Sequence, residues 1–100
     1  MQYIVDIDNT ITDTVNSDYP NTQPMLSRIK KINKLYEEGN TIIYWTARGG
    51  STGKDWTDLT TKQLKEWGCK YHELRMRKPS YDIWVDDKAI NSEDFFNETK

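Results

Sequence analysis

The chain has 100 residues and a net charge of −2, which suffices for one folded domain and is too short for two. Its Ile, Leu, Val and Phe residues number only 19, but four Trp and six Tyr supply large side chains for a core. One Cys and one His exclude a disulfide framework and a structural zinc site, no run approaches the ~20 apolar residues of a membrane span, and the first residues lack a basic signal region. We therefore expect one cytoplasmic domain over residues 1–100 that frays from about residue 97.

The first half of the chain predicts a strand, a helix and a second strand. Residues 3–7 (YIVDI) are rich in β-branched and aromatic side chains and precede a polar turn. Apolar side chains recur at helical spacing over residues 23–38, where Pro24 suits the first turn and Gly39 the C-terminal end. Residues 41–45 (TIIYW) form a nearly continuous apolar run, which is typical of a strand buried on both faces.

The second half predicts a glycine-rich loop, a helix, two strands and a last helix. The loop spans residues 47–55, and the helix that follows runs over residues 56–67. We expect a weaker strand at residues 71–74, a clear one at residues 81–85 (YDIWV), and a short helix from Ser92. This alternation is typical of an α/β domain, so we predict a three-layer, Rossmann-like fold with a mostly parallel sheet.

Polar residues follow the predicted strands at their carboxyl ends, where ligands of parallel sheets bind. They are Asp6, Asp8, Thr46, Lys78, Asp86 and Asp87. Four carboxylates at one edge of a sheet cannot all stay ionised without a cation, so we predict a hard divalent ion with oxygen ligands, most simply Mg²⁺. Because Lys78 adds a positive charge and Thr46 a hydroxyl, the predicted pocket suits a dianionic phosphate.

These residues also have ordinary interpretations. An isolated Asp-x-Asp-x-Thr is often a turn or a helix cap, and a lone lysine often lies on the surface. Arg48 and Gly49, in the loop after Thr46, are predicted to bind substrate, although a surface arginine and a plain connection explain them equally well. Trp45 and Trp56 are expected to be core residues rather than platforms for a substrate.

Taken together, the four polar segments resemble the motifs of the haloacid dehalogenase superfamily of phosphohydrolases, over almost the whole chain. Residues 6–10 (DIDNT) resemble the first motif, Thr46 the second, Lys78 the third, and Asp86-Asp87 the paired acids of the fourth. Each motif is weak alone, but their order and their positions at predicted strand ends make a specific signal. The resemblance implies a phosphatase.

The resemblance also implies a role for each residue. Asp6 would be the nucleophile that attacks phosphorus to form an aspartyl-phosphate, and Asp8 would act first as general acid and then as general base. Thr46 and Lys78 would hold the phosphoryl oxygens. The Mg²⁺ ligands would be Asp6, the main-chain carbonyl of Asp8 and Asp86. Asp87 would either bind the ion through water or orient Lys78.

The intervals between the motifs are too short for an added cap domain, so the chain resembles a capless member with an open site. Residues 44–91 are similar to small phosphatases associated with capsule and polysaccharide synthesis, which favours a phosphosugar or related small metabolite as substrate. A nucleic-acid 3′-phosphatase or nucleotide phosphatase is the alternative, favoured by a basic cluster at residues 70–78 and disfavoured by an isoelectric point near 5.3. A catalytically silent binding module is the third hypothesis; no membrane partner is expected, and a homo-oligomer is left open.

Overall fold

Five strands and three α-helices make up the regular structure of residues 1–50 and 53–97, the part of the chain that the computed structural model describes. A 3-10 turn at Tyr19–Asn21 separates the second strand from the third. In chain order the elements are β1 (Gln2–Val5), β2 (Thr12–Asp13), β3 (Gln23–Pro24), α1 (Leu26–Glu37), β4 (Thr41–Trp45), α2 (Thr57–Glu66), β5 (Glu73–Arg75) and α3 (Ser92–Phe96).

The main sheet is parallel and has the strand order β1–β4–β5, so β4 lies at its centre. Val5 lies opposite Tyr44 in the first pairing, and Ile43 lies opposite Glu73 in the second. A connection that contains a helix, α1 or α2, joins each strand to the next one in the sheet, as parallel pairing requires. The result is a small α/β fold consistent with a Rossmann-like arrangement, and β2 and β3 form a separate antiparallel hairpin.

Strand β4 is buried on both faces, which confirms the expectation from its apolar run. Ile42, Ile43 and Tyr44 are each at most 3% exposed. Side chains from the ends of β1 and from all three helices pack around this strand, and each buried aliphatic side chain stabilises the fold by roughly 1.5–3 kcal/mol. The buried members of this core are Val5, Ile7, Ile11, Ile29, Ile32, Ile42, Tyr44, Leu64 and Phe96.

Helix α1 begins three residues later than predicted. Gln23 and Pro24 pair with residues 12–13 in the β2–β3 hairpin, where the sequence predicted only a polar turn, so Pro24 lies in a strand and not in a first helical turn. The N–H of Met25 then donates to the carbonyl of Ile11 at 2.8 Å and ties the start of α1 to this hairpin. At the other end the backbone turns at Gly39, whose φ of +96° is a conformation that glycine adopts without strain.

The other two helices confirm their predicted segments. Helix α2 lies within residues 56–67, and α3 begins at Ser92, where Asn91 caps it by accepting the Glu93 N–H at 2.8 Å. The frayed tail predicted from about residue 97 falls mainly on residues 98–100, which lie outside the described part. Within residues 1–50 and 53–97, no helix is long and apolar enough to cross a bilayer.

The strand predicted at residues 81–85 is not observed. This segment is irregular and pairs with no strand of the described sheet, and Ile83 and Val85 are 80% and 91% exposed. Its two large aromatic side chains instead contact Lys78, and Trp84 also contacts Trp45 at the end of β4, so the segment packs against side chains without pairing its backbone with the sheet. The weaker strand is present as β5 but begins two residues later than predicted, at Glu73.

Candidate active site at the carboxyl end of the sheet

The carboxyl ends of the three parallel strands place several of the predicted site residues near one another. Asp6 follows β1 directly, Thr46 follows β4 directly, and Lys78 comes three residues after β5. The Thr46 N–H donates to the Arg75 carbonyl at 2.9 Å, and the Lys78 N–H donates to the Thr46 carbonyl at 2.8 Å. The backbone after β5 therefore runs beside the end of β4 and holds Lys78 next to Thr46.

Asp6 is a partly buried carboxylate with a single cation nearby. Burial raises the pKa of Asp6 because the charged form loses hydration, and the positive charge of Lys78 partly offsets this effect. The hydroxyl of Thr10 lies 3.4 Å from Asp6 Oδ2 and donates to it. Hydrogen bonds from Thr10 and from the Ile7 backbone hold the Asp6 carboxylate, and burial outweighs the effect of Lys78 on its pKa.

A cavity of about 880 Å³ opens beside Asp6, which is a size typical of small-molecule sites. Carboxylates and ammonium groups share its lining with aromatic rings. The residues of the four phosphohydrolase-like segments that line it are Asp6, Thr10, Lys78, Asp86 and Asp87. These five residues are called the cavity group below. Their mixture of charges suits a phosphate that brings a cation with it.

The predicted convergence of four carboxylates is observed only in part. Asp6, Asp86 and Asp87 line one cavity, but no three acidic, His or Cys side chains in the described ranges lie close enough to share a metal ion. The physical reason is that residues 81–85 do not join the sheet, so nothing fixes Asp86 at its edge. The donors are all carboxylate oxygens, the chemistry that Mg²⁺ prefers, so the residue types fit this ion although the structure does not gather them.

The carboxylate of Asp8 points away from the cavity, to a set of buried polar groups. Arg48 donates to it twice, from Nε to Oδ2 at 3.0 Å and from Nη2 to Oδ1 at 2.9 Å. The hydroxyls of Thr14 and Thr46 donate to the same carboxylate at 2.9 and 3.4 Å. We call Asp8, Thr46 and Arg48 the buried group. Bidentate pairing with a guanidinium orients a carboxylate, so these contacts favour the observed orientation of Asp8.

Arg48, which the sequence predicts to bind substrate, faces the buried group and not the cavity. Its side chain is fully buried, and its Nη1 donates to Thr60 Oγ1 at 3.0 Å and to Gln63 Oε1 at 2.6 Å on α2. The guanidinium also lies 4.6 Å from the centre of the Tyr19 ring, in a cation–π contact. Arg48 therefore anchors Asp8 to α2 and contacts no open space.

Gly49, the other residue of this loop that the sequence predicts to bind substrate, has a structural role. It is buried, its φ is +80°, and a Cβ atom at this position would lie 2.4 Å from the Lys54 carbonyl oxygen. Any side chain would therefore push the two ends of this loop apart. Thr46 is likewise fully buried, and its hydroxyl accepts the Arg48 N–H at 3.2 Å.

Sequence reasoning missed the partners of the buried group. Thr14, Thr60 and Gln63 are buried polar residues whose side chains meet only through the tertiary fold. Thr60 and Gln63 lie three positions apart on α2, which puts them on one helix face among apolar neighbours. A polar pair on an otherwise apolar face was the only signal in the sequence, and it does not identify the distant Arg48 as the partner.

Comparison with known proteins supports the fold. No protein-family model matches the chain, and no curated protein matches it. The crystal structure of a target protein from Vibrio cholerae is similar, with a TM-score of 0.85 and 28% sequence identity. The match covers 98% of this chain and 89% of the Vibrio cholerae chain. The α/β arrangement described above is therefore also found in a protein whose structure has been solved by crystallography.

Proposed function

We propose that this protein is a Mg²⁺-dependent phosphomonoester hydrolase that works through an aspartyl-phosphate, with the three-layer, capless fold of the haloacid dehalogenase superfamily. The observation that carries the proposal is the position of Asp6. This partly buried carboxylate follows β1 at the carboxyl end of a parallel sheet and lines an open cavity together with Lys78. The four segments that resemble the phosphohydrolase motifs support the same conclusion.

In the proposed first step, an Asp6 oxygen attacks the phosphorus of a phosphomonoester. A bond forms between phosphorus and Asp6, and the bond to the leaving oxygen breaks, with the electron pair going to that oxygen. Lys78 lines the same cavity and would stabilise the negative charge on the phosphoryl oxygens. In this proposal Thr46 acts through its neighbours and not on the phosphate itself, because its buried hydroxyl contacts Asp8 and its main chain holds Lys78.

In the proposed second step, water attacks phosphorus, the bond to Asp6 breaks, and inorganic phosphate leaves. Asp8 would take the proton of the water, having given a proton to the leaving oxygen in the first step. Its sequence position two residues from Asp6, and the influence of its charge on Asp6, support this role. The carboxylate faces Arg48 rather than the cavity, so the proposal requires the Asp8 side chain to rotate during the reaction.

The proposed Mg²⁺ would be bound by Asp6, the Asp8 main-chain carbonyl, Asp86 and Asp87. When bound, the ion would supply positive charge to the phosphoryl oxygens and lower the repulsion between them and the carboxylates. The proposal is supported by the oxygen-only donor set and by the burial of Asp6, which disfavours an uncompensated negative charge there.

For the substrate, we propose a phosphosugar or a related small metabolite. The sequence from residue 82 to residue 98 carries six acidic residues and one lysine, and it includes the part of the cavity lining near Asp86. Such a surface repels a polyanion, so it disfavours the alternative of a nucleic-acid 3′-phosphatase. A small substrate with one phosphate meets less of this repulsion.

Phosphate release tests the proposal directly. A panel of phosphosugars, nucleotides and 3′-phosphorylated oligonucleotides would be assayed with Mg²⁺ and with excess EDTA. Wild type is expected to release phosphate only with Mg²⁺, and Asp6→Asn is expected to release none. Asp82→Asn, an exposed residue outside the cavity lining, is the matched control and should behave as wild type. Full activity in EDTA, or in Asp6→Asn, would contradict the proposal.

A further inference from the structure

Three of the aromatic side chains that line the cavity beside Asp6 and Lys78 contact one another. Trp45 comes from the end of β4, and Tyr81 and Trp84 come from the irregular segment after Lys78. The Trp84 ring contacts both of the others edge to face, at 6.3 Å from Trp45 and 5.0 Å from Tyr81 between ring centres. We call these three residues the aromatic wall.

The aromatic wall is connected directly to the proposed phosphate site. The Lys78 ammonium lies 5.3 Å from the centre of the Tyr81 ring and 5.2 Å from that of Trp84, in cation–π contacts. It also donates to the Tyr81 hydroxyl at 3.4 Å. A phosphate bound by Lys78 would therefore have its leaving group within reach of these rings.

Burial of apolar surface does not explain this wall. Tyr81 is 50% exposed and Trp84 is 40% exposed, and Trp45 is only half-buried, although the sequence predicts it as a core residue. The Nε1–H of Trp45 donates to the Met76 carbonyl at 3.3 Å, which fixes its ring. Exposed aromatic rings at a cavity are typical of a surface that binds a ligand.

We propose, resting on the proposed hydrolase function, that the aromatic wall binds the carbohydrate ring of a phosphorylated sugar. The Trp84 ring is inclined by 83° to Trp45 and by 63° to Tyr81, so it stacks in parallel with neither of them and offers a single face to a ligand. A sugar needs only one ring face for its C–H groups and polar partners for its hydroxyls. Lys88, Asn91 and Ser92 line the same cavity and supply such polar groups.

The test measures binding to the full chain in the Asp6→Asn background, which prevents turnover, with Mg²⁺ present. Calorimetric titrations would compare glucose 6-phosphate, inorganic phosphate and adenosine monophosphate as probes. Glucose 6-phosphate is expected to bind more tightly than inorganic phosphate. Trp84→Leu is expected to weaken its binding about fivefold more than the binding of inorganic phosphate, because inorganic phosphate loses only the effect of the Trp84 contact with Lys78.

Further variants keep the test decisive. Trp84→Phe retains a ring and should preserve most of the preference for the sugar phosphate. Tyr81→Leu changes a half-exposed side chain that does not support the core, so it replaces Trp84→Leu if the latter fails to fold. Trp56→Phe, a tryptophan outside the cavity lining, is the control and should have no effect on either affinity.

Three kinds of result would overturn the inference, and only the last would also contradict the proposed function. If glucose 6-phosphate and inorganic phosphate bind equally, or if Trp84→Leu weakens both equally, the aromatic wall does not bind the sugar, and the proposed hydrolase stands. Tighter binding of adenosine monophosphate than of glucose 6-phosphate would assign the wall to a nucleobase instead. Failure of inorganic phosphate to bind to wild type with Mg²⁺ present would contradict the phosphate site itself, and the inference with it.

Discussion

Arg48 shows how one residue can tie the candidate site to the fold. Its guanidinium donates hydrogen bonds to Asp8 and to the α2 residues Thr60 and Gln63. The Tyr19 ring packs against the face of the same guanidinium. A planar group with five donors can satisfy these partners at once, whereas an ammonium on a flexible chain cannot. The position of Asp8 therefore depends on the position of α2.

The variant Arg48→Lys tests this dependence. The substitution keeps the charge but leaves buried acceptors without donors, at a cost of about 1–3 kcal/mol in the free energy of unfolding. On the proposed function, kcat should fall about tenfold, because Asp8 loses the donors that set its position. KM should change little, because Arg48 lies outside the cavity lining. Thermal unfolding and steady-state kinetics measure the two effects. Arg75→Lys, at an exposed ion pair with Glu73, should change neither quantity, and a matching loss there would contradict the argument.

The ionised carboxylate of Asp6 lowers the stability of the folded chain. Because burial raises its pKa, the folded chain holds the proton at pH values where the unfolded chain has already lost it. The ionised carboxylate therefore costs stability as the pH rises above the usual aspartate value of 3.8, and the cost disappears at lower pH.

Asp6→Asn should consequently be more stable than wild type at pH 7 in EDTA, by a few degrees in Tm. The difference should shrink as the pH falls towards 3.8, where Asp6 becomes protonated in wild type as well. Urea midpoints at several pH values measure this trend, with Asp82→Asn as the exposed control. A variant that is equally stabilised at low and neutral pH would show that the charge of Asp6 is not the cause.

The loop after β4 is the element that holds the buried group in place. It turns at Gly49, whose α-carbon faces the Lys54 carbonyl so closely that no side chain fits. Gly53 has a similar φ of +76°, but no atom lies within 4 Å of the place that its Cβ would occupy. The two glycines thus differ in crowding and not in backbone conformation.

Alanine at these two positions separates crowding from backbone strain. Gly53→Ala should lower the free energy of unfolding by roughly 1 kcal/mol, the cost of a left-handed backbone alone. Gly49→Ala should lower it by clearly more, because the loop must also move away from Lys54. On the proposed function, it should also reduce the release of phosphate, since Arg48 is the neighbouring residue. Chemical denaturation of both variants measures the difference, and equal losses would contradict the crowding argument.

Two similar runs of residues show why the sequence predicts some elements well and others poorly. Residues 41–45 and residues 81–85 both alternate little and are rich in β-branched and aromatic side chains, yet only the first is a strand. The first lies between two strands that bury it, and the second has no such neighbours. Propensity describes a preference for an extended, half-buried surface, and the tertiary context decides whether that surface exists.

At the scale of the whole molecule, the topology explains which part of the candidate site could be predicted. Parallel strands place their carboxyl ends along one edge, so Asp6, Thr46 and Lys78 could be expected together from sequence alone. The orientation of Asp8 could not, because it depends on residues of α2 that are distant in sequence. The position of Asp86 relative to the sheet edge could not be predicted either, because it depends on whether residues 81–85 join the sheet.

The central claim is that Asp6 forms a covalent bond to phosphorus, and chemical trapping tests it most directly. Wild type would be mixed with substrate and Mg²⁺, quenched in acid within milliseconds and reduced with borohydride, which converts an aspartyl-phosphate to homoserine. Mass spectrometry of the digested chain should find homoserine at position 6, and Asp6→Asn should show none there. Rapid phosphate release with no homoserine at position 6, or with homoserine at another aspartate, would contradict the account.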